Sequence, residues 1–140
     1  MFALTEVKRE LDSAMEKEVK LLESFGEKEE RIRAFIFDND WSGLERVLKE
    51  VEPISEEIDL LEKRRNELFC SLKEALGKGP EEGFYQTIVH FSPEEREKSS
   101  LLYRNLKLSV IKIQGITWSI DAHVKSITCL MQKILNEQLP

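Results

Sequence analysis

The chain has 140 residues, enough for a single domain at the usual ~100–200 residues per domain. Hydrophobic residues make up 41% and charged residues 34%, which excludes a disordered chain and requires a core beneath a heavily charged surface. With 21 basic against 27 acidic side chains the net charge is -6, so nucleic acid is excluded as the main partner, since phosphate binding needs clustered Lys and Arg.

From Leu4 to Phe37 there is no proline, and the apolar residues Leu4, Val7, Leu11, Ala14, Leu21, Phe25, Ile32 and Phe35 recur at steps of three and four. That spacing predicts a first long helix. Glu18 and Lys28 interrupt its stripe, and Gly26, worth ~1 kcal/mol less than Ala in a helix, predicts a bend. Asp38-Asn39-Asp40 supplies turn and cap residues, so Asp40 is expected to cap a second helix starting at Trp41.

The second helix, Trp41 to Leu76, carries Leu44, Val47, Val51, Ile54, Ile58, Leu61, Leu68, Leu72 and Ala75 on one stripe, broken only by Arg65. Pro53 lies inside it and predicts a kink or a brief interruption, with Ser55-Glu56-Glu57 suited to a restart. Gly77 stands where a left-handed residue closes a helix. Residues 81–91 can form a short helix around Phe84, Tyr85, Ile88 and Val89, a lid over one end.

Ser92-Pro93-Glu94-Glu95 reads as a capping box that opens a third long helix. Its stripe runs Leu102, Leu106, Val110, Ile113, Ile120, Val124, Ile127, Met131, Ile134, with further apolar residues at Leu108, Ile111, Trp118 and Leu130. At ~1.5 Å per residue a helix reaching Gln138 would be roughly 70 Å long and would outreach the other two. A β-hairpin turning at Gln114-Gly115 is the rival reading of residues 105–120; the capping box and the sustained 3–4 spacing favour the helix. The expected fold is all-α, an antiparallel bundle of three long helices with a short helix or lid between the second and third, forming one domain over residues 1–140.

Catalytic chemistry is sparse. His90 and His123 are the only histidines and neither belongs to a Glu-x-x-His motif, so no metal centre is expected. No Gly-x-Ser-x-Gly elbow occurs, and Gly77-Lys78-Gly79 lacks the spacing of a phosphate loop. Cys70 and Cys129 are expected as buried thiols in a cytoplasmic chain with no membrane span. Glu27 to Arg33 reads as a solvated face with Glu27–Arg31 and Glu29–Arg33 pairs, and Lys63-Arg64-Arg65 is offset by Glu62 and Glu67. The expectation is a protein with no enzymatic activity, no cofactor and no metal.

Charge and hydrophobicity single out the last helix. Residues 1–79 hold 14 basic and 20 acidic side chains, whereas residues 101–140 hold 5 basic and 2 acidic. The apolar face of the third helix is wider than one core needs, which points to ordinary core, to a dimer interface, or to a surface for a partner helix read through i, i+3, i+4, i+7 anchors. Trp118, Ile120, Val124, Ile127 and Met131 are the partner-binding residues expected, Met131 for its adaptable side chain.

This layout resembles the flagellar export chaperone FlgN family. The resemblance is carried by Asp40-Trp41-Ser42-Gly43-Leu44-Glu45, by Leu60-Leu61-Glu62-Lys63-Arg64-Arg65-Asn66-Glu67-Leu68, and by the amphipathic stretch Leu101 to Leu135. It departs from the family in placing Asn105 and Asn136 only towards the ends of the last helix, with Gln114-Gly115 and β-branched residues between. The resemblance implies a non-catalytic cytoplasmic chaperone that binds the C-terminal amphipathic helices of secreted hook-filament junction proteins and keeps them soluble and export-competent. A self-associating coiled-coil protein or a cytoplasmic regulatory adaptor is the alternative, using the same stripe.

Overall fold

The computed structural model describes residues 2–138, so Met1, Leu139 and Pro140 of the expected 1–140 domain lie outside the described residues. The described chain is 89% helical with no strand, which makes it an all-α protein. Its elements are α1 (Phe2–Phe37), α2 (Trp41–Ala75), α3 (Phe84–Ile88) and α4 (Pro93–Gln138). Residues 105–120 are helix throughout, and the hairpin alternative is discarded.

The breaks between helices fall where the local chemistry demands them. Asn39 takes a left-handed φ of 56°, and the Gly43 N–H donates to Asp40 Oδ1 at 2.9 Å, capping α2. Gly77, with φ 69°, closes α2 in a conformation that costs other residues strain. Ser92 accepts from the Glu95 N–H at 3.4 Å and opens α4. α1 is continuous through Gly26, and α2 is continuous through Pro53, so the brief interruption with a restart at Ser55 does not occur. Pro53 is solvent-exposed, so the carbonyl left without its helical donor can be solvated.

α1 is the spine. It packs against α2 along one side and α4 along another. Glu18 meets Arg65 and Lys28 meets Glu50, so α2 runs antiparallel to α1. Asp12 meets Ser99, Gly26 meets Ile113 and Glu29 meets Thr117, so α4 returns parallel to α1 in an up-down-up bundle. Ser99, Leu106, Ile113, Ile120 and Ile127 step by seven along α4, the repeat that keeps one seam on a neighbouring helix.

The core centres on Leu11, Met15, Leu68, Leu72, Phe84, Ile88 and Leu106. It lies in the half of the bundle that holds the start of α1 and the end of α2, where the short helix α3 packs against α4. Phe84 stacks on Tyr103 at 4.2 Å and tilts against Phe69 at 5.6 Å, joining α2, α3 and α4. Lys73 donates to the Pro80 carbonyl at 2.9 Å and pins the connection back onto α2.

Candidate docking surface on the last helix

Charged residues that interrupt the stripes are paired in space. Glu18 and Arg65 bond to each other at 2.9 Å, and Lys28 bonds Glu50 at 3.2 Å. Burial pushes the Glu18 carboxyl above its ordinary range, and the Arg65 charge opposes that rise. Bonding to Lys28 holds the Glu50 carboxyl below its ordinary range, with Arg31 adding at 3.0 Å.

The α1–α4 seam contains polar layers among its apolar ones. Lys8 and Ser99 both donate to buried Asp12, at 2.9 and 2.7 Å. Glu29 accepts from the Thr117 hydroxyl at 2.7 Å, while its other oxygen, Oε1, is buried without a hydrogen-bond partner. Desolvation therefore raises the Glu29 carboxyl, Thr117 opposes and Glu30 adds to the rise. The solvated Glu27–Arg31 and Glu29–Arg33 pairs expected from spacing do not form. Arg31 reaches Glu50 of α2, Arg33 pairs with Glu30, and Glu29 turns into the seam because α4 covers that side of α1.

The seam closes at His123, whose ring stacks on Phe37 with centroids 3.8 Å apart. α1 ends there. α4 continues from Val124 to Gln138, roughly 22 Å of helix past the level of the Phe37 stack. Leu130, Met131, Ile134 and Leu135 are exposed on this projection. Exposed Phe37 and Trp41 stand at the end of the bundle from which it emerges. Spacing marks neither as a surface residue, since Phe37 only bounds the first helical segment and Trp41 reads as a helix start.

The five expected partner-binding residues do not share one face. Ile120 and Ile127 continue the α1-facing register and are half-buried, with Val124 (44% exposed) and Met131 (58%) one helical turn from them. Trp118 is 69% exposed and, two residues before Ile120, lies near the opposite side of the helix. A partner on the projection would meet Val124, Ile127 and Met131 together, with Ile120 inside the α1 seam and Trp118 outside that contact.

Among the described residues no group of three or more His, Cys, Asp or Glu side chains is arranged to hold a metal, and no helix is long and apolar enough to cross a membrane. His90 is exposed in the turn before α4. Cys70 and Cys129 are free thiols and exposed, against the buried positions expected: each falls off its helix's packed stripe, on the solvent side.

Fold and surface together define an all-helical bundle whose last helix outruns its support and carries bare apolar residues. Comparison with protein-family models, curated proteins and solved structures finds no match to the chain.

Proposed function

We propose that the protein is a non-catalytic helix-binding chaperone, and that its α4 projection sequesters an amphipathic helix of a protein client. The observation that carries this reading is the run of exposed apolar side chains beyond His123, on the part of α4 that continues past the end of α1. Water around such a strip is displaced favourably by a matching apolar helix. Its specific form is a cytoplasmic chaperone of flagellar type III export, with the C-terminal helices of hook-filament junction proteins as clients. That form rests on the resemblance carried by residues 40–45, 60–68 and 101–135.

Copurification from the native cell tests both levels. A secreted junction protein recovered with the chain supports the export reading. Recovery of a different helical client retains helix binding and removes the flagellar assignment. Recovery of the chain alone, as a dimer that Met131→Asp separates, replaces the proposal with self-association.

A further inference from the structure

On the side of α4 turned away from α1, a second seam is open to solvent. Leu108, Ile111 and Trp118 are exposed, and they recur with Gly115 at alternating steps of three and four, bracketed in the same register by Arg104 and Lys125. A side chain built at Gly115 would meet nothing within 4 Å, so the row of large side chains is interrupted between Ile111 and Trp118 by a position open to solvent, a hollow in the row. This is the pattern of a coiled-coil seam, in which side chains of a facing helix enter holes of this kind.

The cations around the seam lie outside the ion pairs among the described residues. In α1 and α2, Lys28, Arg31, Arg33, Arg64 and Arg65 are each matched to a carboxylate, while Lys17, Arg46 and Lys63 make no ion pair among the described residues. Among the described residues none of Arg104, Lys107, Lys112, Lys125 or Lys133 makes an ion pair. Lys107 lies over the rings of Tyr103 and Tyr85, at 4.6 and 5.4 Å, and Lys112 borders a cleft that Glu23, Glu27 and Glu30 also line. Asp121 is the one carboxylate between Leu101 and Cys129.

We infer that this outward seam of α4 is a second docking face, and that its occupant is an acidic amphipathic helix: an apolar stripe at 3–4 spacing flanked by Asp and Glu. The charge selects this occupant over a second copy. Two copies paired in parallel set Arg104 on Arg104 and Lys125 on Lys125, and paired antiparallel about Gly115 they set Arg104 on Lys125. Like charges so placed oppose association, whereas carboxylates on a partner relieve them. A lipid surface is disfavoured by shape, since the seam is one residue wide and hollow at Gly115 where a membrane-surface helix needs a broad apolar face. The inference is independent of the export reading, because the face lies opposite Ile120 and Ile127.

The test uses the full chain carrying Trp41→Phe, which leaves Trp118 as its fluorophore. Two synthetic helical peptides with the same apolar stripe, one flanked by Glu and one by Lys, are titrated against it. The Glu-flanked peptide is expected to shift Trp118 emission and to bind at least about tenfold tighter at low salt, the preference shrinking as salt screens it. Gly115→Gln fills the hollow without touching the fold and should weaken binding. Arg104→Glu combined with Lys125→Glu should reverse the preference. Equal binding of the two peptides, or undiminished binding by the Gly115 variant, overturns the inference. So does a dimer in sedimentation that Trp118→Ala dissolves, or partition onto phosphatidylserine vesicles when neither peptide binds.

Discussion

Arg65 of α2 donates its Nε–H to Glu18 of α1 at 2.9 Å, and each is a charged residue that interrupts the apolar stripe of its own helix. The two exceptions satisfy each other. Glu18 is nearly inaccessible and Arg65 is one-fifth exposed, so the pair sits at the edge of the α1–α2 contact with one member dry. It fixes the register of the antiparallel pair at that point, because sliding either helix by one turn would bury an uncompensated charge.

Removing one partner should therefore cost more than removing both. Arg65→Ala is expected to destabilise by about 3 kcal/mol, the low end for a buried pair because Arg65 reaches water. Glu18→Leu combined with Arg65→Met is expected to be neutral or stabilising. Urea melts of Glu18→Leu, Arg65→Met and the double variant close the cycle; a double variant as weak as Arg65→Ala would remove the pair from the account.

Glu29 should make stability depend on pH in a definite direction. Its folded carboxyl is raised from the ordinary 4.5, so the folded state binds a proton that the unfolded state has released over the window just above 4.5. Its contribution is most favourable in acid and is lost as pH rises through the raised value. Glu29→Gln keeps an acceptor for Thr117 and removes the charge, so it should gain ~1 kcal/mol at pH 7, with the gain shrinking towards pH 4. Chemical denaturation of both proteins across this range checks the sign; a gain that grows in acid would contradict it.

The glycines of the first two helices predict opposite outcomes. A methyl at Gly26 would lie 3.8 Å from Ile113, an ordinary contact, so Gly26→Ala should stabilise by ~0.5–1 kcal/mol through helix propensity. A methyl at Gly43 would lie 2.6 Å from the Phe35 ring and 2.9 Å from the capping carboxylate of Asp40, so Gly43→Ala should cost ~1–3 kcal/mol. Thermal melts shifting up for one and down for the other are the expected result.

The projection should be separable from the fold. A truncation ending at Lys125 keeps the His123–Phe37 stack and every α1–α4 polar layer, so its melt should stay within a few degrees of the full chain. Val124→Asp, at an exposed position, should shift stability by no more than ~0.5–1 kcal/mol. Both should abolish binding of the helix captured by the projection, because the client would bury an unpaired charge or find no surface.

The helices themselves were legible in the sequence. Stripes at 3–4 spacing, Asp40 and Ser92 as caps and Gly77 as a stop are local signals whose chemistry acts within a few residues, and local order could be read from them. The outreach of α4 also follows from length alone. Tertiary structure decided which exceptions pair, because Glu18 with Arg65 and Lys28 with Glu50 depend on how two helices slide past each other. It decided that Glu29 is dry while its neighbours Glu27 and Arg31 are wet, since burial depends on which side of α1 receives α4. It also placed Trp118 apart from Ile120, Val124, Ile127 and Met131: apolar composition names what a helix offers, and only the packed neighbour determines which side is left to offer it.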